Sequence, residues 1–307
     1  MNNVQKRIGV LYGGRSSERE VSLRTGKAVF DALTGANRNV VLIDVDEHVG
    51  SRLKEEKVEV AFVALHGRWG EDGCIQGLLE CASIPYTGSG VTASAVAMDK
   101  VLSRLILPRA GIPMAPGMDV PAAEATTITA DKVPWGFPCV VKPSCEGSSV
   151  GVHLVKKAED LPAALAEAAS HGHRTLVEKF IKGKECSVAV LFGRALGVVE
   201  IEPADEFYSY KAKYGGIGTK YHYPARLPSD VVQKLMEMGA GAHKALGCDG
   251  ASRADFLVTA AGEPYLLEVN TLPGMTEASL LPKIAAGEGI TFTALCEQLV
   301  NGASLKA

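Results

Sequence analysis

Residues 251–280 read ASRADFLVTAAGEPYLLEVNTLPGMTEASL, and their pattern decides the architecture of the second half of the chain. Two apolar runs, 254–258 and 265–270, flank a turn-like segment, 259–264, that contains Gly262 and Pro264. This spacing predicts a β-hairpin with a longer loop. Asp255, Glu268 and Asn270 put oxygen-bearing side chains inside strands that should otherwise be buried. Side chains alternate along a strand, so Glu268 and Asn270 share a face, and Asp255 on the partner strand can meet them. Burying carboxylates is costly unless something compensates. A hard divalent cation held by oxygen ligands would compensate, and Mg²⁺ suits such a set. The alternative is a structural ion pair in which Arg253 neutralises one acid and leaves the second unexplained.

Upstream, the chain changes character. Residues 8–12, 40–45 and 58–65 are short apolar or β-branched runs without alternation, as expected of parallel strands covered on both faces. Helical stretches separate them, the first expected to run from a Ser22 cap to about Leu33, another over 73–81. Residues 84–88 read as a further strand end. The βαβ series predicts a doubly wound parallel sheet over about 1–97, with ligands at the carboxyl ends of its strands. Two polar loops fall there, 13–20 and 66–73.

Asp99 to Ala110 reads as a helix carrying Lys100 and bent or ended near Pro108. Pro113, Pro116 and Pro121 mark an extended connection. From about 137 strands follow quickly: 137–143, 150–155, 175–180, 184–191 and 196–201, with a helix over about 158–170. Residues 204–223 are polar and aromatic with no apolar periodicity, which predicts a lid. A long helix over 229–246 starts from Ser229 as cap.

Composition bounds the function. At 307 residues two or three domains are expected. The 47% hydrophobic and 22% charged content is that of a soluble globular protein, and the net charge of −3 gives no reason to expect a nucleic-acid or membrane-surface partner. No apolar run reaches the ~18 residues of a membrane span. The N-terminal residues run directly into a strand without a signal-peptide pattern, so the expected location is cytoplasmic. Seven scattered cysteines, with no CxxC pair, fit reduced thiols rather than a disulfide framework. Cys145, in a Gly/Ser-rich loop, is either reactive or an inert thiol.

That loop, KPSCEGSSVG over 142–151, can close backbone N–H groups and hydroxyls around phosphate oxygens with Lys142 adding charge, or it can be a plain hairpin. It is not a Walker A sequence. Glu178-Lys179-Phe180-Ile181 ends a strand where a nucleotide base could sit, though a lone Glu-Lys pair there is more often just solvent-exposed. His66 is either a ligand contact or a structural histidine. His171 and His173 read as surface residues. No zinc spacing or hydrolase motif is present.

Taken together, the chain resembles the D-alanine–D-alanine ligases of the ATP-grasp superfamily. The resemblance rests on GGRSSEREVS (13–22), His66 through Gly73, YTGSG (86–90), MDK (98–100), KPSCEGSSVG (142–151), LVEK (176–179), KAKY (211–214), RAD (253–255) and LLEVNTLPGMTEASL (266–280). It implies an α/β fold in which the parallel-sheet domain, 1–97, is followed by a two-domain ATP-grasp fold over 98–182 and 183–307. It implies ATP contacts from Lys100, Lys142, Glu178, Lys179, Ile181, Glu185 and Lys213. Two Mg²⁺ ions, replaceable by Mn²⁺, would be held by Asp255, Glu268 and Asn270. Glu18 would bind the ammonium of a first D-alanine with His66 near its carboxylate, and Ser279 and Leu280 would receive the carboxylate of the second. Glu18, Ser148 and Tyr214 would link first domain, phosphate loop and lid, while Arg253 and the Gly274 N–H would stabilise an oxyanion. The family further implies a homodimer with small-molecule partners only. Tyr214 stands where tyrosine goes with D-alanine as second substrate and phenylalanine with D-lactate. Trp69 replaces a residue that is often small in the family, and Cys145 replaces an arginine found in several members.

Overall fold

The computed structural model describes residues 6–147, 150–203, 218–276 and 278–306. Ser148, Lys213 and Tyr214 therefore lie outside the described residues, as does most of the expected lid.

Three sheets organise the described residues. The first holds β1 (Ile8–Tyr12), β2 (Val40–Asp44) and β3 (Val60–Val63), parallel and in the order β2-β1-β3. The second holds β4 (Gly117–Pro121), β5 (Cys139–Pro143), β6 (His153–Val155) and β7 (Arg174–Lys179), antiparallel in the order β4-β7-β5-β6. The third is a five-stranded antiparallel sheet of β8 (Lys184–Leu191), β9 (Arg194–Glu202), β10 (Lys220–His222), β11 (Ala251–Val258) and β12 (Pro264–Asn270), ordered β10-β9-β8-β11-β12. Antiparallel pairing lets short turns join β8 to β9 and β11 to β12.

Several local expectations are corrected. The first helix begins at Arg19, and Ser22 lies inside it, buried, with its hydroxyl donating to the Ala64 carbonyl at 2.7 Å. Ser22 thus ties the helix to the end of the first sheet instead of capping it. Ser229 does not cap either: Pro228 holds the N-cap position of the helix Ser229–Ala245, and proline's fixed φ serves helix entry without a side-chain acceptor. Residues 84–88 form no strand; Tyr86 makes isolated bridges to Ala61 and Ser304. The proline-marked connection contains β4, which tolerates Pro121 because it is a terminal residue of an edge strand. Residues 220–222 of the expected lid are strand β10.

The cores explain how the sheets are held together. The second sheet packs Val141, Val155 and Val177 against Leu161 and Leu165 of the helix Leu161–Ser170. One face of the third sheet packs Val188, Val198 and Phe256 against Leu235 of the helix Ser229–Ala245. The opposite face shares a core with the first sheet: Ile8, Val10 and Phe62 meet Ala189 and Val199 through Leu281, Ile284, Leu295 and Leu299 of the helices Leu280–Gly287 and Phe292–Asn301. Leu295→Ala should therefore cost about 2–5 kcal/mol, because it opens a cavity in a core that two sheets share. Urea unfolding of the two proteins checks this, and a loss below about 1 kcal/mol would contradict the shared core.

On β9, Glu200 is buried beneath Arg226 and Lys184, at 2.8 and 3.1 Å. Burial alone would raise its pKa, but the hydrogen bonds from Arg226 and Lys184 outweigh it and hold the carboxyl down at about 2. The folded pKa lies below the ordinary glutamate value, so the stabilisation is present above about pH 4.3 and is lost as pH falls towards 2. Glu200→Gln should weaken the dependence of stability on pH across that window, measured by denaturant titration at pH 5, 4 and 3.

Candidate active site

The hairpin that opened the sequence reading forms as β11 and β12, and its register fixes the acids. Asp255 pairs directly with Glu268, and Arg253 with Asn270, with an irregularity just after Asp255. Asp255 is buried and triply held. Arg253 reaches both of its oxygens at 2.8 Å, through Nε and Nη2, and the Ser187 hydroxyl on β8 donates to Oδ1 at 2.5 Å. The bidentate arginine contact is among the stronger charge-assisted pairs. The second acid has a cation too, since Lys100 Nζ lies 3.1 Å from Glu268 Oε2. Burial lowers the Lys100 pKa, yet Glu268, with Cys145 and Glu178 adding to it, reverses this, and the net shift is upward. Charge balance alone therefore does not demand a metal, contrary to the premise that the second acid lacks a partner.

The donor set nonetheless fits one. Asp255, Glu268 and Asn270 supply oxygen only, lie on paired strands and border the same cavity. Asn270 Oδ1 accepts a hydrogen bond from the Leu272 amide at 3.0 Å, which fixes its orientation. Among the described residues no group of three His, Cys, Asp or Glu side chains is placed to hold an ion, so the third ligand of a protein-held metal would be the asparagine amide.

The cavity has a volume of about 460 Å³. It is lined by Glu18, His66, Lys100, Glu185, Arg253, Asp255, Glu268, Asn270, Gly274, Ser279 and Leu280, all named by the sequence reading. Glu18 sits where two loops close on it. A Cβ on Gly67 or on Gly147 would lie 2.8 Å from Glu18 Oε2, so a side chain at either position would push the carboxylate out of place. Gly67 also adopts φ +69°, a conformation glycine reaches without strain. His66 is buried, with Nε2 3.0 Å from the Thr25 hydroxyl and Nδ1 3.5 Å from Glu71. It is thus both structurally held and a cavity wall. Burial raises the pKa of Glu71, partly countered by His66.

Lys142, Glu178, Lys179 and Ile181 do not line this cavity. Glu178 is buried, not solvent-exposed: Arg104 and Lys142 each contact its carboxylate at 2.7 Å. Lys142 lies in β5 rather than in the loop that follows, and the lysine reaching that loop is Lys100, whose Nζ donates to the Glu146 carbonyl at 2.8 Å. Lys179 is exposed and Ile181 half-buried at the exit from the second sheet. Burial pushes the Cys145 thiol upward, against its being a ready nucleophile.

Glu71, Ser187, Tyr221, Thr276 and Lys283 line the cavity without having been singled out by sequence, and Arg104 neutralises Glu178 outside it. Only register could have found Ser187, which pairs across the sheet with Asp255. Arg104 sits one helical turn after Lys100, but nothing in that spacing names Glu178 as its partner.

Comparison with known proteins fits this geometry. Residues 106–301 match the family described as D-ala D-ala ligase C-terminus, and residues 7–54 and 49–89 match D-ala D-ala ligase N-terminus. A D-alanine–D-alanine ligase of Anaeromyxobacter sp. (strain K) is 58% identical over 302 residues, covering 98% of each chain. One from Trichlorobacter lovleyi is 53% identical, over 98% of this chain and 96% of its own. The crystal structure of D-alanine–D-alanine ligase from Bacillus anthracis complexed with ATP superposes with a TM-score of 0.85 at 35% identity, covering 97% of both chains. With both halves matched and relatives this similar across nearly its whole length, the chain belongs to the D-alanine–D-alanine ligase family.

Proposed function

We propose that the chain joins two molecules of D-alanine into D-alanyl-D-alanine, cleaving ATP to ADP and phosphate, as a step in making peptidoglycan precursors. The observation that carries this reading is the 460 Å³ cavity at which Asp255 and Glu268, their cations Arg253 and Lys100, and two polar loops meet. Its volume is that of a site for small molecules.

In this reading Glu18 holds the ammonium of the first D-alanine and His66 lies near its carboxylate. That carboxylate is a poor electrophile. Its oxygen attacks the γ-phosphorus of ATP, ADP leaves, and an acyl phosphate forms. Lys100, together with Lys142 and Lys213, offsets the charge gathered in that transfer. The amine of the second D-alanine, its carboxylate received by Ser279 and Leu280, then attacks the acyl carbon. Arg253 and the Gly274 N–H stabilise the oxyanion, phosphate leaves, and the amine loses its proton. Glu178, Lys179, Ile181 and Glu185 serve the nucleotide. Lys142 would exchange some of its contact with Glu178 for a phosphate, with Arg104 keeping that acid neutralised. Asp255, Glu268 and Asn270 would hold two Mg²⁺ ions, or Mn²⁺ in their place, which when bound neutralise phosphate charge. Ser148 and Tyr214 complete the link from Glu18 to the lid and exclude water from the acyl phosphate.

The same reading divides the chain at 97 and 182 into an N-terminal α/β domain and the two ATP-grasp domains. The cytoplasmic location and the homodimer expected from sequence belong to it and rest on the family resemblance.

Purified protein given ATP, Mg²⁺ and D-alanine should release phosphate and yield D-alanyl-D-alanine, identified by mass. Faster phosphate release with D-lactate or an L-amino acid would overturn the substrate assignment. Arg253→Ala should lower kcat about 10²–10³-fold if it acts as one oxyanion donor. Because Asp255 loses its cationic partner in that variant and keeps only the Ser187 hydroxyl, ATP binding by calorimetry must be retained for the result to bear on the oxyanion. Glu268→Gln should abolish turnover, and near-normal rates at saturating Mg²⁺ would remove it from the metal site.

A further inference from the structure

Lys283 has no part in the reaction as derived above, yet it borders the same cavity, beside Thr276, Ser279 and Leu280. It sits in the first turn of the helix Leu280–Gly287, where its backbone N–H donates to the Ser279 carbonyl at 3.2 Å. A cation in the first turn of a helix opposes the helix dipole, so this placement is unfavourable unless an anion joins it. Helical side chains lean towards the N-terminus, which carries the Lys283 side chain back over the Ser279 end.

Its ammonium has an aromatic face to rest on. Nζ lies 4.1 Å from the centroid of the Tyr221 ring. Among the described residues no carboxylate forms an ion pair with it, whereas the other two cavity cations with assigned roles, Lys100 and Arg253, each have one. Partial burial lowers its pKa, so it carries less hydration than a surface lysine. A half-desolvated ammonium on an aromatic face, next to small hydroxyl donors, is a receptor for a small carboxylate.

We propose that Lys283 anchors the carboxylate of the second D-alanine, the acceptor, together with Ser279 and Leu280. The inference rests on the ligase reading above, in which this end of the cavity takes the acceptor. Lys283 would be a specificity residue: it favours an acceptor bearing a carboxylate over a neutral one and holds its amine towards the acyl carbon. The other anion in the reaction, the transferring phosphate, would call for a different kinetic signature.

The test compares the full-length enzyme with Lys283→Met, Lys283→Gln and Lys283→Arg, using D-alanine and D-alaninamide as acceptors. Both neutral variants should raise KM for the acceptor up to about fivefold, the loss expected for one partly exposed charge pair, with kcat and the KM for ATP little changed. Lys283→Arg should retain most of the affinity. The preference of the wild-type enzyme for D-alanine over D-alaninamide should shrink by a similar factor in the neutral variants, a change that a merely structural role would not produce. An unchanged acceptor preference in both neutral variants overturns the proposal. A fall in kcat with a raised KM for ATP overturns it in favour of phosphate binding. If the wild-type enzyme makes no D-alanyl-D-alanine, it is the ligase reading that fails.

Discussion

The pairing of Lys100 with Glu268 is the contact on which the geometry of the site depends. Lys100 stands at the start of a short helix between the first and second sheets, capped by Asp99, whose carboxylate accepts from the Val101 and Leu102 amides. Glu268 belongs to the outer strand of the third sheet. The same ammonium also donates to the Glu146 carbonyl, in the loop between β5 and β6. One buried cation thus gathers three remote segments. A buried charge is tolerated only with partners on several sides, and this requirement makes the arrangement specific. Arg253 does the same for Asp255 within the third sheet, so both acids are held rigidly at one wall of the cavity.

A second constraint comes from close approach. The Glu18 carboxylate is flanked by Gly67 and Gly147, and neither position accommodates a side chain without displacing it. The Glu18 end of the cavity is therefore assembled from the loop after β3 and the loop after β5, which belong to different sheets. Rigid walls that place polar groups in advance lower what must be reorganised when ligand arrives.

How much of this was legible in the sequence depends on the kind of residue. The hairpin over 251–270 was readable because period-2 alternation and a Gly/Pro turn are local signals, and the meeting of Asp255 with Glu268 followed from strand pairing alone. The parallel sheet was readable from three β-branched runs separated by helices. Cap positions were misread at Ser22 and Ser229 because a serine near a helix start looks the same whether its hydroxyl caps the helix or reaches another strand. The partners of the acids were not readable in full. Lys100 lies far from Glu268 along the chain, and Arg104 far from Glu178, so those contacts exist only once the sheets have docked. The substrate came from the resemblance, since no spacing of carboxylates and lysines names D-alanine.

The shared core between the first and third sheets also bears on how the chain matures. Ile8, Val10 and Phe62 lie among the first strands to be synthesised, but Leu281, Ile284, Leu295 and Leu299, which cover them, come some two hundred residues later. Tyr86 likewise waits for Ser304 to complete its bridge. On a translating ribosome that face of the first sheet would be covered only in part, by Val29 and Leu33 of the helix Arg19–Gly35, while the second and third sheets are made. The order in which domains are written along the chain is then not the order in which they can finish folding, and the N-terminal sheet becomes a client of the C-terminal helices.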